Sequence, residues 1–186
     1  DRTVAVSVDS QPIKMLRYTA KKYSVAVSFG YYELCDEAIY SSYMFIGKNG
    51  EIVNNFRRVS KGWKEYDITD EHYKEGDGFK TFTYMGKRIA LAVCGDLWYE
   101  ENIEQINKEK FDFLLYPVYV TYNTEMWRTK LVNEYAEQAK KIPRPVFLVN
   151  SICDADNTRG GCYAFLNGKT VREVPMGQDG YLLVRV

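Results

Sequence analysis

Apolar and polar positions follow two rhythms along this chain, one of three and four residues and one of two. The switches between them mark out its elements. Residues 10–23, SQPIKMLRYTAKKY, set Ile13, Leu16, Ala20 and Tyr23 on one predicted helical stripe. Ser10 suits the N-cap and Pro12 the first turn. SVAVSFG is a β-branched run closed by Gly30 and predicts a strand. AIYSSYMFIG and EIVNNFRRV predict a hairpin turning at Asn49-Gly50. Residues 60–80 are polar and aperiodic, a loop of functional length. TFTYMGKRIALAV predicts a second hairpin turning near Gly86, and its second arm is apolar throughout, as a central strand requires. NIEQINKEK reads as a helix and FDFLLYPVYV as a buried strand. Residues 124–142 place Trp127, Leu131, Tyr135, Ala139 and Ile142 on one helical face, and Pro143 ends it. PVFLVNS is a strand, CYAFLNGKTVREV a hairpin turning at Asn167-Gly168, and DGYLLVRV a closing strand. Helices alternate with strands, but hairpins interrupt them. The prediction is an α/β sandwich with mixed sheets, not a purely doubly wound fold. With no repeat and no linker, residues 1–186 read as one domain.

Composition narrows the function classes. Lys+Arg and Asp+Glu both number 25 and no long run of like charge occurs, so attraction to nucleic acid or an anionic membrane is not expected. No apolar stretch approaches the ~20 residues that cross a bilayer. Cys35, Cys94, Cys153 and Cys162 lack C-x-x-C spacing and read as reduced thiols of a cytoplasmic protein. The single imidazole, His72, lies in the polar loop far from any cysteine pair, so no metal site is expected.

The stretch VCGDLWYEE, residues 93–101, carries the candidate chemistry. Cys94 ends an apolar strand and is followed at once by Gly-Asp. A thiol at a strand-to-helix turn occupies the place where α/β folds put their sites. Gly95 permits the tight turn and offers its N–H to a developing oxyanion, and Asp96 suits a cap. Most free cysteines are buried packing residues, and strand position alone does not separate the two roles. A catalytic thiol needs a base and a cation. Apart from His72, the chain offers Lys61 and Arg58 before the loop, and Glu33, Glu65 and Glu75.

Taken in order, VSFGYYEL, IYSSYMFIGKNGEIVNNFRRVSKGW, YKEGDGFKTFTYMGKRIALAVCGDLWYEE, LLYPV, VFLVNS and GGCYAFLNGKTVRE resemble the nitrilase superfamily of carbon–nitrogen hydrolases over nearly the whole chain. The resemblance implies a four-layer αββα sandwich of nitrilase type and a Glu-Lys-Cys triad. Cys94 falls at the nucleophile position. It would attack a carbonyl or nitrile carbon and form a thioester that water releases, with no metal or cofactor. Where the family carries lysine, ungapped alignment of F-R-R places Arg58, and a local shift places Lys61, the preferred assignment. Glu65 suits the accessory glutamate.

The family's proline-glutamate motif is not found, and GYYEL matches a later segment, so Glu33 reads as a structural or rim carboxylate and not the general base. The expectation is an N-terminally incomplete hydrolase domain, or a reduced homologue that binds or assembles without catalysis. Trp98, Tyr119 and Asn150 follow the apolar strands where family members frame substrate, and residues 153–161 suit the mouth. The expected partner is a small amide or nitrile. Water and a second amine would compete for one acyl-enzyme, so hydrolase and acyltransferase share this pattern. A homodimer is expected, paired through helices such as the Trp127 helix.

Overall fold

Residues 3–63, 71–154 and 157–186 are described by the computed structural model. The chain divides into two compact units, Asp1–Gly78 and Phe79–Val186.

In the first unit, helix α1 (Gln11–Tyr23) packs on a sheet of β1 (Val27–Cys35), β2 (Ala38–Ile46) and β3 (Ile52–Arg57), with β4 (Tyr73–Lys74) parallel to β2. Pro12 lies in the first turn as expected, but the Ser10 side chain makes no capping bond. The buried stripe is narrower than predicted: Ile13 and Ala20 are buried, while Leu16 and Tyr23 are exposed. A seven-residue step nearly closes two helical turns, whereas a three-residue step leaves about 60° of rotation. Only the Ile13–Ala20 line therefore meets Met44 and Ile46.

Strand β1 runs five residues past the predicted Gly30, pairing with β2 from Val27↔Ile46 to Cys35↔Ala38. The chain reverses there at Asp36, φ 53°. The reversal contains no glycine, and aspartate is among the few residues that tolerate this conformation. The predicted Asn49-Gly50 turn is present between β2 and β3. A Cβ on Gly50 (φ 83°) would lie 2.7 Å from the Arg17 carbonyl oxygen, so glycine is required. The predicted loop 60–80 carries β4 at the sheet edge, next to His72, whose carbonyl accepts the Ile39 N–H at 2.7 Å. Glu65 lies outside the described residues.

Glu33 is buried in this sheet. Its carboxylate accepts from Arg57 Nη2 at 2.7 Å, Arg57 Nε at 3.0 Å and Ser42 Oγ at 2.6 Å. Burial alone would raise its pKa, but the Arg57 and Ser42 hydrogen bonds outweigh burial and hold the carboxyl below its ordinary value. Glu33 is a structural anion, as its motif position implied.

The second unit holds a six-stranded sheet ordered β12-β11-β8-β7-β6-β5. Its strands are β5 (Phe82–Tyr84), β6 (Lys87–Leu91), β7 (Phe113–Val118), β8 (Val146–Asn150), β11 (Cys162–Leu166) and β12 (Lys169–Val174). A separate ribbon joins β9 (Ile152–Cys153) to β10 (Thr158–Arg159). Strands β6, β7 and β8 are parallel, and antiparallel hairpins flank them, which is the mixed sheet predicted. Both hairpin turns have two positive-φ residues, Met85-Gly86 and Asn167-Gly168, which fit the twist of the flanking strands.

The parallel crossovers carry helices. Helix α2 (Glu100–Lys108) links β6 to β7. A continuous helix of α3 (Thr124–Met126), a π-helical stretch (Trp127–Leu131) and α4 (Val132–Lys140) links β7 to β8. Leu114, Tyr116 and Val118 alternate along β7 onto the helices, meeting Ile103 and Ile106 of α2 and Trp127, Leu131, Tyr135 and Ala139. A stripe advancing mostly by fours drifts around an α-helix of 3.6 residues per turn, and the wider π turn offsets part of that drift. Trp127 and Tyr135 are 1% and 3% exposed, so their rings pack inside their own unit and lend no support to dimer pairing through this helix.

Residues 179–186 do not form the predicted strand. Tyr181 and Leu183 are 81% and 72% exposed, and a short apolar run without a paired edge does not hold a strand. Among the described residues no helix is long and apolar enough to cross a membrane.

Candidate functional site

The parallel strands β6, β7 and β8 end on one side of their sheet, and four of the six sequence-derived candidates meet there. Pairing of β6 with β7 persists to Ala92, whose N–H reaches the Leu115 carbonyl at 3.2 Å. At Cys94 the backbone turns to φ 48°, a conformation uncommon for a non-glycine residue. The chain enters a 3₁₀ turn over Cys94–Trp98. Asp96, fully buried, closes the elbow: its Oδ2 accepts the Val93 N–H at 2.8 Å and its own N–H reaches the Val93 carbonyl at 3.0 Å. The expected cap therefore exists in altered form, tying the turn back to the strand. Asn102 Nδ2 donates to the Asp96 carbonyl at 3.1 Å and anchors α2 to the same elbow.

Tyr116 completes the support. Its hydroxyl donates to the Cys94 carbonyl at 2.6 Å and takes a hydrogen bond from Trp98. Burial, with the nearby Tyr135, Cys94 and Asp96, pushes its pKa well above the ordinary range, so it stays a donor. Tyr116→Phe is expected to cost about 1–3 kcal/mol, because the Cys94 carbonyl and the Trp98 N–H lose their partner. It should also slow alkylation of Cys94. Urea unfolding and thiol-labelling rates check both.

The Cys94 side opens on a cavity of about 550 Å³. Cys94, Gly95 and Trp98 line it from the elbow, Tyr119, Val120, Thr121 and Tyr122 from the segment after β7, and Glu134 and Tyr135 from α4. Tyr135 is wedged between Trp98, edge-on at 5.2 Å, and Trp127 at 4.9 Å. Tyr119, Tyr122 and Trp98 are 47%, 39% and 42% exposed. A second cavity of about 470 Å³ lies at the other end of the parallel strands, between Arg88, Asp112 and Arg144, and holds no sequence-derived candidate.

Asn150 stands behind the site. Its Oδ1 accepts the Val120 N–H at 3.0 Å, and its Nδ2 donates to the carbonyls of Val120 at 3.3 Å and Gly160 at 3.1 Å. It is 4% exposed, so the side chain clamps the segment that carries Tyr119 and Val120 to the loop after β10. Lys61 belongs to the first unit, where its side chain is exposed and its carbonyl accepts from Arg58 Nη2 at 3.4 Å. Arg58 also donates to Ser60 Oγ at 2.7 Å. The Arg58 backbone is held on both sides, by the Ser41 carbonyl at 2.9 Å and the Gly76 N–H at 2.8 Å. Of residues 153–161, Ala155 and Asp156 lie outside the described residues.

Sequence reasoning missed Tyr116, Glu134 and Tyr135 as site residues. Tyr116 had a readable signal: it alternates with Leu114 and Val118 on the helix-facing side, where a buried hydroxyl needs a partner. Glu134 had none, since a polar residue next to a buried stripe reads as solvated surface.

Comparison with known proteins identifies the family and the fold. The sequence matches the carbon–nitrogen hydrolase family over residues 2–183. A citrullinase of Francisella tularensis subsp. tularensis is 25% identical over 120 residues, covering 61% of this chain and 41% of that enzyme. A carbon–nitrogen hydrolase from Helicobacter pylori G27 superposes with a TM-score of 0.72 at 16% identity, covering 89% of this chain and 63% of that one. A variant of the amidase from Nesterenkonia sp. AN1, with an acetamide moiety added covalently at its active-site cysteine, superposes at 0.70 and 15% identity over 88% of this chain and 62% of its own. The chain thus spans less than two thirds of each of these proteins. The structural likenesses establish the α/β fold with mixed sheets of nitrilase type. With the family matched over nearly its whole length, the chain belongs to the carbon–nitrogen hydrolases of the nitrilase superfamily.

Proposed function

We propose that this chain carries the nucleophile of a hydrolase acting on small amides or nitriles, with Cys94 forming a thioester. The observation that supports this most is Cys94 on a positive-φ elbow, braced by Asp96 and Tyr116, at the mouth of an aromatic cavity. For an amide, Sγ gives up its proton and adds to the carbonyl carbon, forming an S–C bond and an oxyanion. The oxyanion then collapses, the C–N bond breaks and the protonated amine leaves. Water adds to the thioester, the S–C bond breaks, and the carboxylic acid departs with the thiol restored. The Gly95 N–H is the oxyanion donor in this scheme and Lys61 the cation that stabilises it. Trp98 and Tyr119 frame the substrate. Asn150 holds the Tyr119 segment in place, since its amide is already engaged by backbone.

Lys61 and Arg58 separate by kinetics on the full-length protein. Lys61→Ala is expected to lower kcat by about 10²–10³-fold, the usual cost of an oxyanion partner, with KM little changed. Arg58→Ala is expected to act far less, because its guanidinium is engaged with Ser60 and the Lys61 carbonyl. The reverse order of effects would transfer the role to Arg58. Wild-type rates in both variants, together with no loss on replacing Cys94, would defeat the proposed chemistry.

A further inference from the structure

Of the described residues lining the Cys94 cavity, Glu134 alone carries a charged side chain. Most of the rest of the wall is aromatic, with Tyr119, Tyr122 and Trp98 presenting partly exposed rings beside Thr121. A carboxylate beside several π faces is the lining that attracts a cation and repels an anion. Glu134 does have a neighbour: Lys130 Nζ lies 3.7 Å from its Oε1, one helical turn away. That lysine is 71% exposed on a mobile stem and screened by water, so it offsets the carboxylate only in part.

We infer that Glu134 is a specificity determinant, and that the acyl or leaving part of the substrate carries a positive charge such as an ammonium. The inference rests on Cys94 being the reachable nucleophile. The cavity admits small molecules to the thiol, and Glu134 with the rings favours a cation along the wall they form. No bond to Glu134 forms or breaks, so it acts on binding and orientation and not on the chemical step.

Three methanethiosulfonates of similar size test this without requiring turnover: one neutral, one bearing a quaternary ammonium, one bearing a sulfonate. Rates at Cys94 are followed by peptide mass spectrometry and divided by each reagent's rate with a small free thiol. The cationic reagent is expected to lead the anionic one by about tenfold at low salt, the order of effect of one unit charge in a half-exposed site, and by much less at high salt. Glu134→Gln should remove most of that ratio, each rate being taken relative to the neutral reagent in the same variant, and Glu134→Asp should keep it. A wild type with no charge preference overturns the inference, as does a preference that persists in Glu134→Gln. In both cases normal labelling by the neutral reagent leaves the nucleophile proposal standing. Failure of all three reagents to reach Cys94 overturns both.

Discussion

Cys94→Ala is expected to lower amide turnover by about 10⁴-fold or more while leaving the fold intact. The chemistry proposed here runs through a covalent bond to Sγ, and among the described residues no other group lining the cavity is a comparable nucleophile. Loss of a covalent nucleophile removes the route itself, and effects on this scale are usual for it. The stability change should be small, within about 1 kcal/mol, because the thiol is only partly buried and the elbow depends on other groups. The Val93–Asp96 bonds and the Tyr116 bond to the Cys94 carbonyl all involve atoms that alanine keeps or does not touch. Alanine at φ 48° carries the same backbone strain as cysteine. Steady-state kinetics beside thermal unfolding distinguish the outcomes: activity lost at unchanged melting temperature supports catalysis, and joint loss of both points to a structural thiol.

The largest stability effect is expected far from the thiol, at Arg57→Met. This change leaves the Glu33 carboxylate, 2% exposed, without the guanidinium that meets both its oxygens. Breaking a buried ion pair by removing one partner costs about 3–5 kcal/mol. Arg57 also stacks on Tyr40 at 3.8 Å, and methionine only partly replaces that contact. The pH dependence follows from the sign of the Glu33 shift. In the wild type its folded pKa lies below the ordinary 4.5, so its contribution is present above 4.5 and fades as pH falls through the folded value. With Arg57 removed, burial dominates and raises the folded pKa, so the variant is penalised at neutral pH and partly relieved on acidification. Urea unfolding at pH 7 and near pH 4 is therefore expected to show a wide gap between wild type and variant that narrows in acid. A gap equal at both would show that the guanidinium acts by packing and not by charge.

Much of the fold is readable from local chemistry. Asn49-Gly50, Met85-Gly86 and Asn167-Gly168 are all turns, because glycine at positive φ announces itself in the sequence. The Asp36 reversal is not announced, since nothing distinguishes that aspartate from a solvated one until β1 and β2 pair. Residues 179–186 mislead in the opposite direction: their β-branched and apolar run suits a strand, yet an edge must accept it. In the site, the strand-end position of Cys94 and Gly95 did not by itself separate a nucleophile from a packing thiol, and the ordered family resemblance around them did. Trp98 and Tyr119 followed from their position after strand ends. Asn150 was expected to frame substrate, and its engagement by three backbone groups is a tertiary fact that its place after a strand does not report. Tyr135 and Glu134 come to the cavity from a helix more than thirty residues away in sequence, which no local pattern reports.

The most direct test is acid-quench mass spectrometry of the full-length protein mixed with a reactive amide or nitrile. The expected result is one covalent substrate group on the peptide containing Cys94, appearing early, lost as water turns it over, and missing from Cys94→Ala. An adduct of equal yield in Cys94→Ala, or one confined to Cys35, Cys153 or Cys162, would contradict the nucleophile assigned here.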